Sequence, residues 1–323
     1  MRLAITLLAG LALAWAGAWL VAARVVERAA ETWLAEQAAA GRLADHEAVS
    51  VGGFPGRLDL TVEGLRLGDP WGVVWEVPQV ALALGAGRPD RVRAGLEGRQ
   101  RLIMGAQALE VEADRLEGAV RVGGRELALR EGALQVEALR LEAGGGPGTL
   151  GLRTLGLETA AEAGAEERQR LRLGLRDLVL AGPDGRPLAP LERLDLTATV
   201  LFDAPLDRHA AVRGVQPQEL VLEALSLVWA GAEVQAGGRL EIGADGFPEG
   251  RIGVEVAGWR PLLDMAVTLD LLRPELAPTW ERVLETLEAA GDRPGVLPLA
   301  LVFSRGRVSL GPLPLGPAPR LRL

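Results

Sequence analysis

Arg170-Leu171-Arg172-Leu173-Gly174-Leu175-Arg176 places a leucine at every second position, with arginine or glycine between. In an extended chain successive side chains point to opposite faces, so this heptapeptide has one dry face and one wet face. Wound into a helix, it would spread guanidinium groups around the whole circumference and leave no apolar stripe. The segment therefore reads as a half-buried β-strand, although leucine is a weaker strand former than valine or isoleucine.

The same alternation recurs on both sides of it. Arg57-Leu58-Asp59-Leu60-Thr61-Val62-Glu63, Leu109-Glu110-Val111-Glu112-Ala113, Glu126-Leu127-Ala128-Leu129-Arg130 and Leu134-Gln135-Val136-Glu137-Ala138-Leu139-Arg140-Leu141 all repeat it. Turn chemistry separates these runs at Gly123-Gly124, Gly144 to Gly148, Pro183-Asp184-Gly185, Gly237-Gly238 and Ala244-Asp245-Gly246, where positive φ is tolerated. The pattern predicts a fold that is mainly β with a few helices, an α+β chain. Its body is a long, curved antiparallel β-meander, a single elongated β-rich domain over residues 49–323. No fixed period of a solenoid is visible.

The alternation stops at Trp259. Residues 260–291 carry a helical insertion: Thr279 is the expected N-cap, Leu284 and Leu287 are three apart, and Gly291 is the stop. A helical pair is expected there. Leu297 to Phe303 and Arg307 to Leu310 read as a hairpin around Ser304-Arg305-Gly306, and the proline-rich end as extended chain.

The start of the chain is different again. Leu3 to Ala23 carry no charged side chain between Arg2 and Arg24, and an uninterrupted helix of that length is about 31 Å long, the thickness of a bilayer's hydrocarbon core. Residues 1–24 are read as a transmembrane anchor, with Leu3, Leu7, Leu11, Trp15, Trp19 and Leu20 as its span residues. The alternative is a cleaved secretory signal, for which Ala16-Gly17-Ala18 and Val21-Ala22-Ala23 offer small-x-small sites. Basic residues are nearly balanced across the run, so orientation rests on the strand-rich cargo. A single-pass inner-membrane protein with its bulk in the periplasm is expected; signal cleavage would instead release it into the periplasm. Residues 25–41 continue as a helical extension, with Trp33, Val26, Ala29, Ala30 and Leu34 packing on the body below.

Composition narrows the chemistry. The chain has 323 residues, 49% of them hydrophobic, and a formal net charge of -8; that size supports a substantial core and that charge argues against a nucleic-acid partner. Cysteine is absent, which removes disulfides, thiolate catalysis and thiolate metal sites. His46 and His209 are the two histidines, so no multi-histidine metal site forms within the chain. His209 lies near Asp203 and Asp207, a combination that reads as a solvated loop. No serine occupies a Gly-x-Ser-x-Gly elbow, and the glycine clusters lack the strand-to-helix setting of a phosphate loop. No catalytic residue, metal ligand or cofactor is assigned. The apolar side of the meander needs a cover, which is either its own core or a lipid in an open groove.

Three local motifs carry a resemblance. Gly52-Gly53-Phe54-Pro55-Gly56-Arg57-Leu58-Asp59-Leu60, with Gly68-Asp69-Pro70 and Trp75-Glu76-Val77-Pro78, resembles the opening of the bacterial family "domain of unknown function 2125". Leu297-Pro298-Leu299, Gly306-Arg307-Val308 and Leu310-Gly311-Pro312-Leu313-Pro314 resemble its ending, and Asp245-Gly246-Phe247-Pro248 is similar to a turn in AsmA-like envelope proteins. The motif residues Gly53, Phe54, Pro55, Arg57, Asp69, Pro70, Trp75, Pro78, Gly246, Gly311 and Pro312 are turn and strand-edge positions with a structural role. The resemblance to AsmA-like proteins implies an inner-membrane-anchored, non-enzymatic protein of a Gram-negative envelope that handles lipid. A structural or protein-interaction role with a filled core and no ligand is the alternative, and an envelope hydrolase the third.

Overall fold

The strands form where the alternation lies, in a computed structural model that describes residues 2–69, 72–85, 88–105, 107–143, 149–181, 187–269, 272–310 and 313–321. Pro70, Gly311, Pro312 and the turns expected at 144–148 and 183–185 lie outside the described residues, as do the side chains of Leu3, Leu7 and Leu11. Contacts divide the chain into two units, Met1–Arg121 with Val136–Gly146, and Val122–Gln135 with Pro147–Leu323.

The first unit opens with helix α1, Arg2–Ala39. Its strands are β1 Leu43–Asp45, β2 Ala48–Gly52, β3 Arg57–Gly68, β4 Val73–Gly85, β5 Arg88–Glu97, β6 Gln100–Met104 and β7 Gln107–Glu112, with most of β8, Arg115–Gly123, and the latter half of β9, Ala128–Ala143. All pair antiparallel. β3 receives β2 on its first half and β1 on its second, and lies against β4 along its length. β4 in turn pairs with both β5 and β6.

α1 ends where Gly41 takes φ +79° and the Arg42 N–H donates to Gln37 O, a left-handed stop that glycine adopts without a Cβ penalty. Its inner stripe, Trp19, Ala23, Val26, Ala30 and Leu34, steps by three or four residues, as one helix face requires. Leu34 is buried with Leu60, Val62, Leu65 and Val77, and Val26 and Ala30 pack beside them. Trp33 was expected in this stripe, but its side chain is 50% exposed; one residue of helix is about 100° of rotation, which carries it off the packed face. Among the described residues no helix is long and apolar enough to cross a membrane.

The second unit begins with the end of β8 and the first half of β9. It continues with β10 Thr149–Glu162, β11 Ala165–Leu180, β12 Leu191–Phe202, the single-turn α2 Ala210–Arg213, β13 Pro217–Trp229, β14 Ala232–Ile242 and β15 Pro248–Ala257. Helices α3 Arg260–Thr268 and α4 Ala277–Ala289 follow, then β16 Val296–Ser304, β17 Arg307–Leu310 and β18 Leu313–Pro317. From β10 to β18 each strand pairs antiparallel with the next.

Four local expectations are corrected. Gly237-Gly238 is not a turn: both glycines lie inside β14. Gly237 faces an irregularity in β13 between Leu222 and Leu225, and a Cβ on Gly238 would come within 2.3 Å of Arg251 O on β15. These glycines let strands approach, which leaves the same sequence mark as a turn. The strand read from Glu126 starts only at Ala128, because Leu127 takes φ 54° in the preceding turn. Thr279 lies inside α4 rather than capping it, since Pro278 fits the first helical turn and moves the start to Ala277. The β-structure also begins earlier than residue 49, at Leu43.

Leu34 and Trp33 separate cover from surface. Leu34→Ala should cost about 2–4 kcal/mol in urea unfolding of the full chain. Trp33→Ala should shift stability by no more than about 0.5 kcal/mol. Equal effects from the two would show that α1 does not pack on the sheet through its Leu34 face.

Candidate functional site

Two places gather the residues of interest, one in each unit. In the first, α1 meets the turn between β2 and β3. The indole Nε1–H of Trp15 donates to Pro55 O at 2.9 Å and that of Trp19 to Arg57 O at 2.7 Å. The Trp19 ring also meets Phe54 edge-on, with centroids 5.4 Å apart. Within the turn the Arg57 N–H donates to Gly53 O at 2.9 Å, and the Arg57 guanidinium lies 3.0 Å from Asp59 Oδ2. Gly53 has φ +92°, and a Cβ there would stand 2.8 Å from Asp59 Oδ2, so glycine is required for the chain to turn this tightly.

The structure thus joins two sets of residues that the sequence presents separately, Trp15 and Trp19 of the apolar run and Gly53, Phe54, Pro55 and Arg57 of the first motif. Leu20 points outward, 59% exposed. The remaining described motif residues sit elsewhere in their own units. Asp69 Oδ1 accepts the Val73 N–H at the β3–β4 turn. Trp75 donates its indole N–H to the buried Gln100, and Pro78 packs against Gly98. Gly246 belongs to the second unit, where its carbonyl accepts the Leu321 N–H.

The second place is one face of the β10–β16 ladder, which becomes visible only through the strand register. Leu157, Leu173, Leu196, Leu225, Ala236, Val254 and Leu299 form a row across seven strands. A parallel row runs Leu155, Leu175, Leu194, Leu227, Val234, Val256 and Leu297. Beyond the first row, on its other side, lie Leu171, Ala198, Leu222, Ile252 and Leu301, with Gly238 between the third and fourth. The opposite face is charged: Arg176 pairs with Asp195 at 2.8 Å and Arg170 with Glu223 at 3.6 Å.

The apolar face is covered unevenly. Over β14–β16, Trp259, Leu262 and Leu263 from the α3 side and Leu284 and Leu287 from α4 pack on Val234, Val254, Val256, Leu297 and Leu299. Trp259 Nε1 donates to Glu288, and Arg260 bridges to Glu285 at 2.7 Å, clasping the pair together. That buried cluster reaches Val234 and stops. Over β10–β13, Leu175 and Ala198 are buried, whereas Leu155, Leu171, Leu173, Leu194, Leu196, Leu222, Leu225 and Leu227 are half-buried and Leu157 is exposed. The whole chain exposes 19784 Å², whereas two separate compact bodies sharing its 34.1 kDa would together expose about 15,000–16,000 Å². Part of the surplus is α1, packed on one side; the rest is sheet face without a second layer.

One end of the apolar face is closed by a polar group. Gln169, 1% exposed, sits in register with Val200 and Ala161. Its Oε1 accepts from Thr159 Oγ1 at 3.0 Å, and its Nε2 donates to Leu129 O at 3.2 Å and Glu166 O at 3.3 Å. The sequence gives no warning of this residue, because Glu166-Glu167-Arg168-Gln169-Arg170 reads as surface.

The titratable clusters are already engaged with one another. His209 Nε2 lies 3.0 Å from Arg208 Nε and 3.2 Å from Glu126 Oε2, all three side chains about half exposed. Against an opposing desolvation, the His209 backbone N–H and the Arg213 guanidinium hold the Asp207 carboxyl below the usual carboxylate range. A recess of about 570 Å³ includes Asp203, Glu219 and Glu241, but Asp203 accepts the Gln216 N–H and Glu219 pairs with Arg239 at 3.1 Å. Among the described residues no three His, Asp or Glu side chains converge as metal ligands.

A family model described as an uncharacterised protein conserved in bacteria, DUF2125, matches residues 19–319. No curated protein and no solved structure matches the chain.

Gln169→Leu should cost about 1–3 kcal/mol in urea unfolding, since it strands buried groups on Thr159 and Leu129. Gln235→Leu, at an exposed position of β14, should stay within about 0.5 kcal/mol. A neutral Gln169→Leu would show that the closed end does not depend on this network.

Proposed function

The chain belongs to the DUF2125 family of uncharacterised proteins conserved in bacteria, and from that premise we propose a non-enzymatic envelope protein that holds the acyl part of a lipid on the leucine face of its second unit. α1 keeps it at the inner membrane of a Gram-negative cell, with the β-rich units on the periplasmic side. The observation that carries the lipid reading is the apolar face spanning seven strands, covered by helices at β14–β16 and half-open over β10–β13. Three strand gaps of about 4.8 Å make the open part about 14 Å across, wide enough to lay an alkyl chain over several rows. Each methylene taken out of water contributes about 0.8 kcal/mol, so ten of them give a gross gain of about 8 kcal/mol before the costs of ordering the chain.

The anchor reading draws on the uncharged run from Leu3 to Ala23. Its retention is supported by what α1 touches. Cleavage after Ala18 would remove the Trp15 bond to Pro55, and cleavage after Ala23 would remove that of Trp19 to Arg57 as well. Uncleaved, the helix serves both as anchor and as cover for β1–β3. The similarity of the Asp245-Gly246-Phe247-Pro248 turn to one in AsmA-like envelope proteins would fit this reading, since those proteins are anchored in the inner membrane and present β-rich grooves toward the periplasm.

Native mass spectrometry of the full chain purified from membranes should show a stoichiometric lipid. Leu157→Glu, at the exposed rim of the face, should lower lipid occupancy at least tenfold, because a carboxylate there opposes an apolar ligand by more than about 1.4 kcal/mol. Arg172→Glu, on the other face of the ladder, should leave occupancy unchanged. A protein recovered without lipid would overturn the reading.

A further inference from the structure

We infer that the Gly53–Arg57 turn is a second membrane contact, dipping Phe54 into the lipid boundary beside α1. The inference rests on the proposed anchoring by α1 and fixes where the bilayer surface meets the protein. If Leu3 marks the inner edge of the hydrocarbon, Trp15 lies about 18 Å and Trp19 about 24 Å further along the helix. Both levels fall short of the far edge of a core about 30 Å thick. Whatever is hydrogen-bonded to these indoles shares their depth, and they hold Pro55 and Arg57.

The turn is chemically fitted to that depth. A backbone carbonyl or N–H in hydrocarbon is costly unless it has a partner. Pro55 has no N–H, its carbonyl and that of Arg57 accept from the indoles, and the Arg57 N–H returns to Gly53 O. The indole N–H groups are satisfied by the same bonds, which lets both rings sit where water is scarce.

The surrounding surface is apolar and uncovered. Phe54 is 54% exposed, Trp15 51% and Val21 65%. The nearest cations, Arg24 and Arg57, have side chains 71% and 69% exposed. Their aliphatic stems can lie along lipid while the guanidinium groups reach the phosphates. Aromatic rings flanked by such cations are the composition of a protein surface at the membrane–water boundary.

The chain contains no cysteine, so one substitution creates one labelling site. Phe54→Cys, Gly56→Cys, Leu13→Cys and Glu36→Cys, each in the full chain, would carry the environment-sensitive dye NBD in phosphatidylcholine–phosphatidylglycerol vesicles; on the same ruler position 13 lies at the midplane and position 36 beyond the far edge. Lipids bearing a doxyl quencher near the headgroup or near the chain end read the depth. Gly56→Cys leaves the Phe54 ring in place, and circular dichroism matching the unlabelled chain confirms the fold of each. Dye at positions 54 and 56 should be blue-shifted and quenched by the doxyl lipids, dye at 13 quenched most by the deep one, and dye at 36 by neither. Dye at 54 and 56 behaving as at 36 while dye at 13 is deeply quenched would overturn the contact of the turn and leave the anchor standing. Dye unquenched at 13 would overturn the anchor, and this inference with it.

Discussion

A β-sheet with leucine on one face and arginine and glutamate on the other is stable in water only to the extent that something covers the leucines. Both units obey this constraint, and both use helices. In the first, the Ala23–Leu34 stripe of α1 lies on β1–β3 and closes a core around Leu60, Val62, Leu65 and Val77. In the second, α3 and α4 lie on β14–β16 around Trp259 and Leu297. The second unit is covered in part: a ladder from β10 to β16 presents more apolar width than that helical pair spans.

That geometry gives α1 a structural role in the first unit, beside the anchoring proposed for it. Burying a leucine side chain such as Leu34 contributes about 1.5–3 kcal/mol, so loss of the helix would expose the Leu60–Val77 core along with it. The indole bonds of Trp15 and Trp19 extend the grip toward the turn at Phe54. Under the proposed anchoring, attachment and folding of the first unit are coupled through one element. A change in α1 that spares its hydrophobicity but turns its stripe away from β3 acts on stability rather than on membrane partition.

Strand identity was legible in the residues because the period of two is local: Arg170–Arg176 needs no neighbour to declare its two faces. The rows that make those faces into one surface were not legible, since they depend on register. Register here includes irregularities at Leu222–Leu225 and between Thr197 and Ala198 that keep Leu222 and Leu225 on the same side. Gly237-Gly238 misled for a related reason, because a glycine that lets strands approach and a glycine that turns the chain look alike. Trp33 and Leu34 show the limit for helices: adjacency in sequence is about 100° in space, and the choice between them was made by the sheet. Gln169 lay within a charged run, and only the arrival of Leu129 and Thr159 beside it turned a surface residue into a buried one.

Charge decides what kind of hold on a membrane this chain can have. A formal charge of -8 sets the body as a whole against the anionic surface of a bacterial membrane, where each basic residue is worth about 1 kcal/mol only when it stands free near the lipid. Arg24 pairs with Glu27 at 3.0 Å and Arg57 with Asp59 at 3.0 Å, so the cations beside Trp15 and Trp19 bring much of their own neutralisation. Electrostatic adsorption is then a poor source of affinity. Apolar burial is insensitive to the sign of the lipid charge, and the Trp15–Trp19–Phe54 cluster presents apolar area on a turn whose Pro55 and Arg57 carbonyls already accept from the indoles. The attachment proposed above would therefore draw on hydrophobic area and on hydrogen bonds that need no water.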